Sequence, residues 1–286
     1  MIKDFRNKLC VITGGSSGIG LAVAEALARE GARLLLLARD PAQLERAAQQ
    51  LREMGAADVA TISADVSRDE DIARLPAAIH AMGPAADLVV NSAGIVSGGL
   101  MHEVPMAEWR RLHEINVLGV VRVINAVVPD MLARSARGEG GGHIVNIASG
   151  AGLVGFTGLG SYVATKAAVV GFSESLRSEL AAAGIGVTAV CPGFVQTPIA
   201  SKVQLFGRMD TPRTQAFIQN WFVRNNLKAE TVAARTLSAV RANRAVMVVG
   251  RDAVSGYWTK RLAPWLLDRV MKRSARPLTA ARKKAA

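Results

Sequence analysis

The sequence predicts a doubly wound α/β fold: a parallel sheet of about seven strands with helices on both faces, in a single domain followed by an amphipathic, basic C-terminal extension. Seven short apolar runs, at residues 9–12, 33–38, 59–63, 88–91, 143–148, 186–191 and 245–249, alternate with stretches whose apolar residues recur at helical spacing, as at Leu44, Ala47, Ala48 and Leu51. Most of these runs are apolar throughout rather than at every second position, which strands covered on both faces require. A glycine-rich turn, TGGSSGIG at residues 13–20, joins the first run to the first helical stretch. That is the connection a parallel sheet uses to place ligands at the carboxyl ends of its strands.

Composition narrows the class further. Of 286 residues half are hydrophobic and a fifth charged, which suits a sizeable core and excludes disorder. With no linker-like stretch, residues 1–255 read as one domain and 256–286 as a tail. The N-terminal MIKDFRNK is charged and precedes only four apolar residues, unlike the long apolar centre of a secretory signal, so a cytoplasmic location is expected. The most apolar segment, residues 117–132, contains Arg122, Asn125, Pro129 and Asp130 and reads as a core helix. Cys10 and Cys191 lie in strand contexts without His or Cys at metal spacing, so buried thiols and no metal site are expected. Residues 269–286 carry seven Lys and Arg and no acid, out of a net charge of +12. The excess is therefore a property of the tail, and a nucleic-acid partner is not expected.

The glycine turn needs a reason, because each glycine costs conformational entropy on folding. At the carboxyl edge of a strand and the start of a helix, unpaired N–H groups and the positive helix end attract phosphate. Gly14, Ser16, Ser17, Gly18, Ile19 and Gly20 are thus candidates to cradle a dinucleotide pyrophosphate. Their G-x-x-x-G-x-G spacing is not the commonest dinucleotide fingerprint, and a turn needed only for close packing would look the same.

More elements follow at matching intervals. NSAG (residues 91–94) closes the fourth run, Asn116 lies in the next helical stretch, Ser149 follows the fifth run, YVATK sets Tyr162 four residues before Lys166, and CPGFVQTP (191–198) closes the sixth run. Together with the glycine turn, these residues resemble the short-chain dehydrogenase/reductase family over about residues 8–250, which implies a Rossmann-like fold. By that resemblance Ser149 hydrogen-bonds the substrate oxygen, and Tyr162 is the general acid/base. Lys166 shares a helix face with Tyr162 and, with the positive nicotinamide ring, lowers the tyrosine pKa, while Asn116 holds a water linking Lys166 to solvent. The resemblance further places Asp65 at the adenine amino group with Val66 beside it, and Asn91, Ala93 and Gly94 along the adenine–ribose side. Tyr162 and Lys166 also face the cofactor, and Val195 and Thr197, after Pro192 and Gly193, hold the carboxamide. The second run ends in Arg39, where relatives preferring NAD usually carry an aspartate; Arg39 suits a 2′-phosphate. Asp40 follows at once, and Ser17 stands where many NADP users have a second Arg. NADP(H) is the expected cofactor, with NAD(H) as the alternative.

Residues 199–227 lose the strand–helix rhythm. In the family this region, about 195–227 here, is a mobile lid, and Leu205, Phe206, Met209, Phe217, Trp221 and Phe222 favour a lipophilic ketone or secondary alcohol over a sugar. Ile95, Val96 and residues 153–156 are the other expected pocket walls, although large apolar lid residues could equally pack on the core. Trp258, Leu262, Trp265, Leu266 and Val270 recur among Lys260, Arg261, Arg269, Lys272 and Arg273, interrupted by Pro264. This stretch suits peripheral contact with an anionic membrane, or packing on its own or a neighbouring subunit. The glycine turn, the ARD strand end and the extended C-terminus are similar to branches acting on 3-ketosphinganine, steroids and retinoids. Family members pair through helices equivalent to residues 117–132 and 162–182, so a homodimer or homotetramer is expected. Two other readings stay open: a catalytically silent dinucleotide sensor or scaffold, and an NAD-dependent dehydrogenase of a small alcohol.

Overall fold

The computed structural model describes residues 2–225 and 227–279, with side chains described through 220 and from 227 to 276. In chain order the strands are β1 (Leu9–Thr13), β2 (Arg33–Ala38), β3 (Asp58–Ser63), β4 (Leu88–Asn91), β5 (Ser97–Gly98), β6 (Gly142–Ile147), β7 (Ile185–Pro192), β8 (Val195–Gln196), β9 (Gln204–Leu205), β10 (Leu227–Lys228) and β11 (Val246–Val249). The α-helices are α1 (Gly18–Ala28), α2 (Pro41–Glu53), α3 (Asp69–Ile72), α4 (Leu75–His80), α5 (Met106–His113), α6 (Gly119–Ala136), α7 (Gly160–Glu179), α8 (Pro212–Asn225), α9 (Ala229–Arg241), α10 (Arg251–Leu262) and α11 (Pro264–Thr279).

Seven strands form one all-parallel sheet in the order β11-β7-β6-β4-β1-β2-β3. The apolar runs are continuous because successive side chains enter two different cores. In β2, Leu34 and Leu36 join Val23 and Leu27 of α1, Leu51 of α2 and Val232 of α9 on one face. Leu35 and Leu37 join Ile79 of α4 and Val127 and Met131 of α6 on the other. The strand order reverses between β1 and β4, which opens a crevice at their carboxyl ends, directly above the glycine turn.

One expectation needs correction, because residues 199–227 are not without structure: Pro198–Lys202 and Gly207–Met209 are short 3-10 turns, β9 pairs with β5, β10 pairs with β8, and α8 runs for 14 residues. Two-residue pairings are too short to show a period, and the polar face of α8 hides its helical pattern. The region is also tied down, because Glu103 Oε1 accepts from Arg208 Nε at 2.6 Å and Gln204 Oε1 accepts from Arg111 Nη2 at 2.9 Å. Residue 255 lies within α10, which packs on the body through the buried Ala253. Helix α11 carries Arg269, Lys272, Arg273 and Arg276 of the basic tail; Arg282, Lys283 and Lys284 lie outside the described residues.

The segment read as a core helix belongs to a continuous helix, Met106–Ala136, long and apolar enough to cross a membrane by length and composition. Val123, Val127 and Met131 seat it against the sheet, as a core helix requires.

Candidate active site

The crevice begins at the glycine turn. Gly14 and Gly18 have φ of +65° and +57°, and a Cβ on Gly20 would collide with the Gly14 carbonyl oxygen. Only glycine lets the chain double back this tightly. The turn delivers the α1 N-terminus with Ser17 at the cap position making no side-chain cap bond and no acidic residue in the first turn, so the positive helix end is uncompensated. Ser16, Ile19 and Gly14 are partly exposed along it. Across the crevice stands Thr197: a Cβ on Gly18 would meet it at 3.4 Å. A bare, glycine-lined cradle at a helix N-terminus fits a pyrophosphate.

Around the adenosine end, Asp65 Oδ1 accepts from the Ser67 amide at 2.9 Å and its hydroxyl at 2.7 Å, while Oδ2 faces Arg39 Nη1 at 4.0 Å. Arg39 is largely exposed at the end of β2. Asp40, whose place beside Arg39 left the cofactor choice mixed, is the N-cap of α2: Oδ1 accepts from the Ala42 and Gln43 amides at 2.9 and 3.1 Å, and Oδ2 accepts from Gln43 Nε2 at 2.7 Å. These bonds hold its carboxyl below the usual carboxylate range, the Gln43 amide contributing most.

Two of the residues expected along the cofactor, Asn91 and Val66, have buried side chains. Asn91 is buried in the sheet, where Nδ2 donates to Asn146 Oδ1 at 2.9 Å; Asn146 Nδ2 in turn donates to Ser173 Oγ of α7 at 2.9 Å. Its amide is a tie between strands and helix. The Val66 side chain packs on α6, where a Cβ at Gly119 would clash with it. Ala93 and Gly94, partly exposed, do lie on the crevice wall: Thr13 Oγ1 accepts the Ala93 amide at 3.1 Å, and a Cβ at Gly94 would sit 3.5 Å from Lys166 Nζ.

The reacting end draws on three elements. Ser149 follows β6 and caps the short turn Gly150–Gly152, its Oγ accepting from the Ala151 amide at 3.1 Å. Tyr162 and Lys166 stand one turn apart on α7, with Nζ 5.9 Å from the tyrosine ring centre. Removal from water pushes the Tyr162 pKa up to about 12, and a hydrogen bond from the Ser149 side chain opposes this. Burial likewise pushes Lys166 down to about 8; its Nζ donates to the Ile147 carbonyl at 2.9 Å. In the protein alone, therefore, loss of hydration dominates and the tyrosine stays protonated at neutral pH.

Asn116 lies within a π-helical turn, Glu114–Leu118, between α5 and α6; such turns recur at functional sites. Its Oδ1 accepts from the Ile95 amide at 2.9 Å, and Nδ2 donates to the Ile95 carbonyl at 2.9 Å and to Thr165 Oγ1 at 3.1 Å. With both donors engaged, the side chain clamps the loop after β4 to α7. Thr165, which the motif reading passed over, completes the clamp by donating to the Tyr162 carbonyl at 2.8 Å. Its position inside YVATK was the available signal.

Beyond β7, Pro192 is buried in the strand, the Gly193 amide donates to the Val249 carbonyl at 2.8 Å, and Val195 is buried where β8 meets β10. Asp252 of α10 was also missed: its Oδ2 accepts from the Phe194 amide at 2.9 Å, and any Cβ on Gly193 would collide with its carboxylate. Nothing local in the sequence marks Asp252, because the contact joins the start of α10 to the loop after β7, 58 residues earlier. Among the pocket residues, Ile95, Leu153, Phe156 and Phe206 are partly exposed, and Phe156 meets Phe194 edge to face at 6.2 Å. Val96, Val154, Leu205 and Met209 are buried, and Leu205 lines a cleft together with Phe206 and Gln204. The side chains of Trp221 and Phe222 lie outside the described residues. Among the described residues no cluster of His, Cys, Asp and Glu could hold a metal ion.

A Rossmann-like crevice with a phosphate cradle at one end and paired Ser and Tyr hydroxyls over a buried Lys at the other defines a nicotinamide-linked oxidoreductase. The short chain dehydrogenase family model matches residues 8–206, and the chain belongs to the short-chain dehydrogenase/reductase family. It is 37% identical over 217 residues to 2-(S)-hydroxypropyl-CoM dehydrogenase 3 of Xanthobacter autotrophicus, covering 76% of this chain and 82% of that protein. Among solved structures, a short-chain dehydrogenase/reductase from Burkholderia phymatum in complex with NAD superposes with a TM-score of 0.81 at 31% identity, covering 93% of this chain and 96% of that one. L-sorbose reductase from Gluconobacter frateurii, complexed with NADPH and L-sorbose, gives 0.75 at 29% identity over 87% and 97% of the two chains.

Proposed function

We propose that the protein is an NADP(H)-dependent reductase that interconverts a lipophilic ketone and its secondary alcohol. The observation carrying this reading is the reacting end itself: a Ser149–Tyr162 hydroxyl pair, with the Tyr162 pKa at about 12 and a cation below it. A phenol that stays protonated is poised to give its proton to a carbonyl oxygen, and Ser149 fixes that oxygen's position. The bound nicotinamide supplies or receives the hydride. Gly14, Ser16, Ser17, Gly18, Ile19 and Gly20 would hold its pyrophosphate, and Thr197 and the Val195 backbone its carboxamide. Lys166, buried beneath the crevice, holds positive charge beside the tyrosine, and the Asn116–Thr165 clamp keeps α7 in register with the loop after β4.

Asp40 supports the choice of NADP(H). A carboxylate committed to capping α2 is a poor ribose ligand, which leaves Arg39 as the exposed group for a 2′-phosphate. Ile95, Leu153, Phe156, Phe194 and Phe206 favour an apolar substrate body. Leu118 and Leu132 on the α5–α6 helix, each about two-fifths exposed, support pairing into a homodimer or homotetramer.

The test is a binding titration with NADPH and NADH, followed by turnover on a long-chain ketone and on a ketose. NADPH should bind more tightly, and Arg39→Ala should weaken it by about tenfold or more while leaving NADH unchanged, since one charge-assisted contact is lost. Equal binding of both cofactors by the natural protein removes the NADP(H) reading. Faster turnover of the ketose removes the lipophilic one.

A further inference from the structure

The pair α10–α11 presents a surface that the oxidoreductase reading does not use. Its inner side is accounted for: Lys260 Nζ donates to the Leu153 carbonyl at 2.7 Å, Ala253 packs against Gly150, and Leu267 and Met271, four residues apart, are turned toward the body. The outer side is not. Trp258, Leu262, Trp265, Leu266 and Val270 are all exposed, Leu262 by 78%. Leu266 and Val270 sit one turn apart on α11, beside Arg269 and Arg273, which are also one turn apart. Exposed apolar side chains grouped this way mark an interaction site.

The charges identify what covers it. Residues 254–276 contain six bases and one acid, and that acid, Asp268, is paired with Lys272 at 2.6 Å. Arg269, Arg273 and Arg276 are exposed on α11. A second copy of the same face would set these guanidinium groups against each other, and a nucleic acid would engage the arginines but offer nothing to Leu262, Leu266 and Val270. A bilayer carrying anionic lipid satisfies both sets: apolar and Trp side chains enter the acyl boundary while arginines reach headgroup phosphates.

We infer that the outer face of α10–α11 docks on an anionic membrane surface. The docked helices would be the same ones that brace the Ser149–Thr157 loop, so the substrate side of the crevice would lie beside the bilayer. The inference rests on the surface alone and stands whether or not the lipophilic-ketone reading does.

The full chain should sediment with phosphatidylcholine vesicles containing about 30% phosphatidylserine at about 0.1 M salt, and far less with phosphatidylcholine alone. The double variants Leu266→Ser/Val270→Ser and Arg269→Glu/Arg273→Glu should each weaken sedimentation by at least about tenfold. All four residues are exposed, so circular dichroism and the thermal midpoint should match the natural chain. Absence of binding to the anionic vesicles, or undiminished binding by both folded variants, overturns the inference. So does a stable dimer that Leu266→Ser/Val270→Ser dissociates, which would mean that a second copy covers the face. Binding to duplex DNA as tight as to vesicles and indifferent to the serine substitutions would equally overturn it.

Discussion

Replacing Lys166 with Met should abolish catalysis without destabilising the fold, although Lys166 is almost fully buried. Burial lowers its pKa from 10.5 to about 8, so at neutral pH the folded protein holds a charge that the site disfavours by roughly 3 kcal/mol, at 1.36 kcal/mol per unit. Methionine fills similar volume without that cost. Against the gain stands the Ile147 carbonyl, which loses its donor at 2.9 Å; an unsatisfied buried acceptor costs about 1–3 kcal/mol. The variant should therefore equal or exceed the parent at pH 7, by up to about 2 kcal/mol. The pH dependence is sharper. With the folded pKa depressed, the unfolded chain binds the extra proton between pH 8 and 10.5, so the parent gains stability as pH rises through that window. Urea unfolding of both proteins at pH 7.5 and pH 10 should show the parent gaining about 2–3 kcal/mol on the variant, and all other titrations cancel in the comparison. A difference that does not change with pH would refute the buried-charge argument, even if turnover were lost.

Further perturbations test other parts of the site. Thr165→Val removes both bonds of the hydroxyl joining Asn116 to the Tyr162 carbonyl, and should lower kcat by about tenfold to a hundredfold with KM for the cofactor nearly unchanged, because a positioning defect of this kind acts on the transition state. Gly20→Ala forces a methyl into the Gly14 carbonyl and should eliminate measurable dinucleotide binding by calorimetry, whereas the same change at the exposed, open Gly155 should not. His143, fully buried with Nε2 against Thr188 Oγ1 at 2.8 Å, has its pKa lowered from 6.5 to about 4 by burial and by Arg177. Its neutral form is the folded one, so stability should fall by roughly 3 kcal/mol as pH drops from 6.5 to 4, and His143→Leu should flatten that limb in acid unfolding curves.

The main strands were legible because a two-faced sheet demands unbroken apolar runs, and their ends fell within one residue of those seen. The family motifs were legible for a different reason: the glycine turn, NSAG, Ser149 and CPGFVQTP mark strand ends where backbone turns toward the crevice, and YVATK puts its Tyr and Lys on one helix face. What stayed hidden was the commitment of particular side chains. Asp40 looked like a cofactor determinant beside Arg39, yet DPAQ at 40–43 is a capping sequence, with Pro at the first helical position and Gln at the third, and its use could have been anticipated from those residues alone. Asn91 read as crevice lining because it ends β4, but the alternation that turns Val89 into one core turns its amide toward Asn146. The pairing of β5 with β9 had no readable signal, since two residues carry no period and their partner lies more than a hundred residues away.

The C-terminal helices alter how the catalytic loops should be understood. Ser149 is followed by a turn whose Gly150 lies against Ala253, and the strand-end segment meant to hold the carboxamide hangs from Asp252 through the Phe194 amide. Lys260 then closes on the Leu153 carbonyl, and Thr157 Oγ1 reaches the Met271 carbonyl at 3.5 Å. Both loops that must stay fixed for hydride and proton to pass within a fraction of an ångström are thus braced by α10 and α11, not only by the sheet they leave. Cutting the chain after β11 would leave the seven-stranded sheet with its two cores intact, while freeing both loops from their outer wall. Such a truncated protein should fold, and bind at the glycine turn, yet lose most of its turnover. That separation would assign the extension to the active site on mechanical grounds independent of any membrane.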